Sequence, residues 1–169
     1  MNVTVTEALW FLPFIAPVCL FVAWCDMKFM RIPNKTVLLL VAIYALVGLF
    51  ALPFVDYAWR WVHLLVVLGI GFVVASAGLV GAGDAKFAAA MAPFIAFGDL
   101  AIVLTLFAAI LLGAFVTHRT ARSIPAVRRA APDWESWTRK RDFPMGLALG
   151  GTLIFYFVLP VIIPELTVS

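Results

Sequence analysis

The chain has 169 residues, of which 65% are hydrophobic and only 12% charged, and its mean hydropathy is +1.10. A soluble globule carries roughly 25% charged residues, so the polar surface here is too small to clothe a water-soluble body, and lipid is the expected solvent. The net charge of +3 comes with no recognisable nucleic-acid-binding module, and no nucleic acid is expected as a partner.

A spanning helix needs roughly 20 mostly apolar residues. Six segments meet or approach that length: 8–25, 36–55, 61–80, 85–98, 100–117 and 144–163. The expected fold is all-α, a polytopic six-transmembrane-helix bundle, with 1–169 forming one integral-membrane domain. The fourth segment is short and rich in Ala, which suits a tilted, broken or shielded helix. The residues before the first segment carry Glu7 and no Lys or Arg. A cleavable signal would open on basic residues, so the first segment is expected to remain as a permanent helix.

Cys19 and Cys25 lie six apart on that helix, about 9 Å along its axis, too far for a disulfide. No CxxC or Cys/His cluster is present, and neither a metal nor an organic cofactor is expected. Asp26 closes the first segment. In the loop 26–35, Pro33 disfavours helix at Ile32 and Asn34 reads as the N-cap of the next helix. Tyr57, Trp59 and Trp61 suit the lipid headgroup level. Gly81-Ala82-Gly83-Asp84-Ala85-Lys86 makes the next turn. There Gly81 and Gly83 allow backbone angles closed to other residues, and Asp84 is placed to cap the following helix. Gly98-Asp99 reads as a tight turn. The stretch 118–143 is the longest polar one and reads mainly as a loop that sets orientation. Gly146 and Gly150 have the spacing that lets helices approach closely.

The basic residues orient the bundle. With both termini outside, the inner loops are 26–35, 81–84 and 118–143. Lys28, Arg31, Lys35, Lys86, Arg119, Arg122, Arg128, Arg129, Arg139, Lys140 and Arg141 fall in or beside them, and only Arg60 falls outside. That is the bias expected of cytoplasmic loops.

Asp26 and Asp84 therefore map to the same end of the bundle. Each alone has a plain reading, a helix-end charge for Asp26 and a cap for Asp84. Together they offer the chemistry of an aspartyl dyad. Two carboxylates around one water cannot both ionise, so one acts as base and the other as acid. Other hydrolytic chemistries fit poorly. No HExxH run is present, and His63 and Ser76 are 13 residues apart on one segment, about 20 Å along its axis.

Asp26 followed by Ile32-Pro33-Asn34, then Gly81-Ala82-Gly83-Asp84-Ala85-Lys86, resembles the type IV prepilin leader peptidases, GxGD-type aspartyl proteases of prokaryotic membranes. The resemblance covers both motifs, their separation, the helix count and the orientation. It implies that Asp26 and Asp84 are the catalytic pair. Gly81, Gly83, Lys86, Pro33 and Asn34 would shape the site. It also implies an aspartic endopeptidase that removes the short basic leader of prepilins or pseudopilins at the cytoplasmic face of the inner membrane. Larger members carry a cysteine tetrad in an extra cytoplasmic region and also methylate the new N-terminus. The first inner loop here has no cysteine, so methylation is not expected. The short form is similar to the peptidases of tight-adherence (Flp) pilus systems, and an archaeal preflagellin-type peptidase is a close alternative. The rival readings from other classes are a small transporter or channel using its acids as ion sites, and a membrane scaffold using them as caps.

Overall fold

A computed structural model describes residues 1–139 and 142–167. Among the described residues its α-helices are α1 (Val5–Phe29), α2 (Asn34–Ala51), α3 (Phe54–Ser76), α4 (Ala82–Met91), α5 (Leu100–Ser123), α6 (Pro125–Ala130) and α7 (Met145–Ile162), with short 3₁₀ turns between α4 and α5, between α6 and α7 and after α7, and no strand. The protein is an all-α polytopic membrane protein. Five of its helical segments, α1, α2, α3, the stretch Phe97–Ser123 that contains α5, and α7, are long and apolar enough to cross a membrane.

The fourth expected segment is built differently. Of 85–98, only the first part is α-helical, and α4 has 10 residues, about 15 Å of rise. Pro93 lacks the N–H that would continue the ladder. The chain passes through a 3₁₀ turn at Ala92–Phe94 and an extended Ile95 into a second 3₁₀ turn at Phe97–Asp99. This broken segment still runs from one end of the bundle to the other. It is shielded by its neighbours, since Phe87, Ala89, Ala90, Met91 and Phe94 are all buried. α4 packs against α2, α3 and α7. Small residues permit this, and a Cβ added at Gly71 of α3 would stand 3.1 Å from the Ala85 Cβ of α4.

The core is an aromatic cluster shared by five segments. Phe11 of α1 meets Phe94 edge-on at 5.1 Å, Tyr44 of α2 meets Phe94 at 5.3 Å, and Phe157 of α7 lies 5.6 Å from Phe11. Tyr57 and Trp61 join it, the first stacked on Tyr44 at 5.5 Å and the second edge-on at 5.2 Å. Of the three aromatics expected at the headgroup level, only Trp59 faces outward, while Tyr57 and Trp61 pack inward against α2.

The most extensive helix pair is α1 with α7, and the glycine spacing in α7 is used there. A Cβ at Gly150 would stand 2.9 Å from the Cys19 carbonyl oxygen, so the two backbones nearly touch. Cys19 and Cys25 are free and buried.

The two ends of the bundle differ. At one end Asp99, 1% exposed, accepts hydrogen bonds from the backbone N–H groups of Asn2 and Val3 and from the Tyr156 hydroxyl at 2.8 Å. Met1 meets the Leu166 carbonyl beside it. Arg60, the lone basic residue assigned to that end, is buried against Glu7 at 3.7 Å. Asp99, read from sequence as part of a turn, is thus a buried clamp on the N-terminal segment. The other end holds the α1–α2 and α3–α4 connections and the described residues of 124–144. Those residues are folded rather than trailing. α5 runs on to Ser123, α6 follows, and Trp137 tucks in against the buried His118 with rings stacked at 5.2 Å. Lys140 and Arg141, placed on this side from sequence, lie outside the described residues.

Candidate active site

Asp26 is not in a loop. α1 continues past it to Phe29, and its side chain is only 5% exposed. The reading of Asp26 as a solvated charge ending a helix is therefore incorrect. The carboxylate faces α7, where the Gly146 backbone N–H donates to Asp26 Oδ2 at 2.7 Å. α1 then stops at Met30, whose φ of 49° is left-handed and whose N–H closes on the Asp26 carbonyl.

α2 begins at Asn34 with Pro33 as its N-cap, one residue earlier than the sequence suggested, and Asn34 does not cap it. No side chain caps it, and the Thr36 hydroxyl in its first turn donates instead to the Pro33 carbonyl at 2.7 Å. The Asn34 side chain is left free to accept from Lys86 Nζ at 3.3 Å. Two motifs 52 residues apart are joined at that contact.

α4 also starts early, at Ala82, with Gly81 as N-cap. Asp84 lies inside the first turn, so it is not the cap that sequence suggested. The motif glycines are not there for unusual backbone angles. Gly81 has φ −63°, and Gly78 is the glycine with positive φ among the described residues. Gly81 supplies room, since a Cβ on it would stand 2.6 Å from Asp84 Oδ2. At Gly83 a Cβ would meet Ile32 Cβ at 3.5 Å, an ordinary contact.

Asp26 and Asp84 line one cleft of about 620 Å³ at this end of the bundle. Gly81, Gly83 and Met145 also line it. So do Asn34 and Lys86, and Arg31, Arg139 and Asp142 bring further charge. Arg139 lies between Glu135 at 3.6 Å and Asp142 at 3.4 Å. Burial, and after it the charge of Asp26, push the Asp84 carboxyl up to about 6, so Asp84 holds its proton to a higher pH than an ordinary carboxylate.

The structure thus brings together Asp26, Asp84, Gly81, Gly83, Asn34 and Lys86 around one cleft, while Pro33 borders the adjoining surface with Ile32. Sequence reasoning missed Gly146, Met30, Arg139 and Asp142 as neighbours of the acids. For Gly146 a partial signal existed in its four-residue spacing from Gly150, which predicts close approach but not to what.

A family model described as the type IV leader peptidase family matches residues 13–118, a stretch that contains both aspartates. The chain belongs to the type IV leader peptidase family. Membership makes it a peptidase. No curated protein and no solved structure matches the chain.

Proposed function

We propose that this leader peptidase family member is an aspartic endopeptidase that removes the short basic leader of type IV prepilins or pseudopilins, working at the cytoplasmic face of the inner membrane with both termini outside. The observation that carries this reading is the meeting of Asp26 and Asp84 in one cleft at the end of the bundle where the Lys and Arg residues gather. A precursor's apolar helix would stay in the lipid and its leader would reach the cleft.

The chemistry follows from the pair. One carboxylate takes a proton from a water as the oxygen attacks the scissile carbonyl carbon. The other acid protonates the carbonyl oxygen, giving a neutral tetrahedral diol. On collapse the C–N bond breaks, the nitrogen takes the proton held by the first acid, and a diol hydroxyl returns a proton to the second. No metal or organic cofactor enters these steps. A transport reading would need acids strung along a path. The buried acids at the far end are already engaged, Glu7 by Arg60 and Asp99 by the N-terminal backbone.

Co-expression with a tight-adherence-type prepilin, read as a gel shift on leader loss, tests the proposal. Asp26→Asn and Asp84→Asn should each abolish the shift while the protein still inserts. Normal processing by either variant would remove the dyad from consideration.

A further inference from the structure

The two acids of the cleft are held differently, and the difference assigns their roles. We propose that Gly146 is a positioning residue whose backbone N–H holds Asp26 as the ionised base, leaving Asp84 as the acid that carries the proton. This rests on the hydrolytic reading above.

Three observations support the assignment. First, the Gly146 N–H donates to Asp26 Oδ2 at 2.7 Å, a short charge-assisted distance. Such a bond favours the charged form of its acceptor. Second, Gly146 lies in the first turn of α7, an 18-residue helix. The unpaired N–H groups there present partial positive charge to the Asp26 carboxylate. Third, the position is tight, so that a methyl there would push Asp26 aside by a few tenths of an ångström. A Cβ on Gly146 would stand 3.0 Å from both Asp26 Cβ and Asp26 Oδ2 and 3.2 Å from Val22 Cγ1. Two backbones converge here around one carboxylate.

Asp84 also sits in the first turn of a helix, which by itself favours its ionised form. Burial and the neighbouring negative charge of Asp26 outweigh that, and the carboxyl is pushed up to about 6. Among the described residues, the other charged or titratable groups around the pair are Cys25 on α1, Arg31 after it, Lys86 on α4, and Arg139 and Asp142 ahead of α7. In the assigned roles, Asp26 takes the proton from water and later gives it to the leaving nitrogen. Asp84 gives its proton to the carbonyl oxygen and takes one back from the diol.

The test is the pH profile of leader removal by the full-length protein. Gly146→Ala should move the acidic limb to higher pH by about one unit, the tenfold loss expected for one weakened charge-assisted bond, and leave the basic limb in place. Gly150→Ala disturbs the same helix pair at Cys19. It should lower thermal stability without moving either limb. An unshifted acidic limb in Gly146→Ala, or an equal shift in Gly150→Ala, overturns the positioning role. Should Gly146→Ala fail to fold, infrared spectra of the carboxyl groups at pH 5 decide the assignment without it. The protonated carboxyl band of the cleft should vanish in Asp84→Asn and persist in Asp26→Asn, and the reverse pattern overturns the proposal. If no prepilin is cleaved by the natural sequence, the functional reading fails while the infrared result still stands or falls alone.

Discussion

Lys86 Nζ lies 3.3 Å from Asn34 Oδ1, joining the start of α4 to the start of α2. Each residue belongs to a different motif, and neither touches the other's motif by sequence proximity. The bond fixes the spacing of the two segments that frame the cleft. Lys86→Met and Asn34→Ala are each expected to slow leader removal roughly fivefold, as for the loss of about 1 kcal/mol of hydrogen bonding. The double variant should be no slower than the worse single one, and a rate cycle over the four proteins measures that coupling. Fully additive losses would mean the contact does not operate in solution.

The two motif glycines should behave unlike each other. Gly81→Ala places a methyl 2.6 Å from Asp84 Oδ2, so the carboxyl must swing away and cleavage should fall at least tenfold. Gly83→Ala meets only Ile32 at contact distance. It lies inside α4 and should raise stability by about 0.5–1 kcal/mol through reduced backbone freedom. Thermal unfolding in detergent beside the cleavage assay separates the two. Loss of fold in Gly83→Ala would contradict the packing described.

Asp84 ties stability to pH in a definite sense. Its folded carboxyl, at about 6, lies above the ordinary carboxylate value, so the folded protein binds the proton more tightly than the unfolded chain. Stability from this group is present at low pH and is lost as pH rises through about 6. Asp84→Asn removes the dependence. It should be more stable than the natural sequence at pH 7.5 and nearly equal to it at pH 4. The gain is on the order of 1 kcal/mol, less than the full shift implies because the carboxyl is partly screened by solvent. Melting temperatures at the two pH values check the sign. The same variant should be inactive, so stability and activity move in opposite directions.

Asp99 should matter for fold and not for chemistry. Its carboxylate gathers two backbone N–H groups and the Tyr156 hydroxyl at the end of the bundle away from the cleft. Asp99→Ala leaves those donors without an acceptor and should cost on the order of 3 kcal/mol. The protein that does fold should show an unaltered pH profile of cleavage. A changed profile would mean that the two ends of the bundle are coupled.

Much of this protein was decided by its sequence alone. With so few charges, lipid is the solvent, and the apolar runs then have to be helices, because the lipid interior offers no water to satisfy backbone groups. The gathering of Lys and Arg into particular loops placed Asp26 and Asp84 at one end, and the pattern around each acid marked the family. What only the tertiary structure decided are relations across long sequence separations. Asp26 meets Gly146, 120 residues away, and Asp99 meets the first residues of the chain. The roles of Gly81 as clearance and of Asn34 as a partner for Lys86 belong with these. Local periodicity and turn chemistry report on neighbours within a few residues. Which helix faces converge, and how closely, depends on side-chain volumes meeting across the bundle.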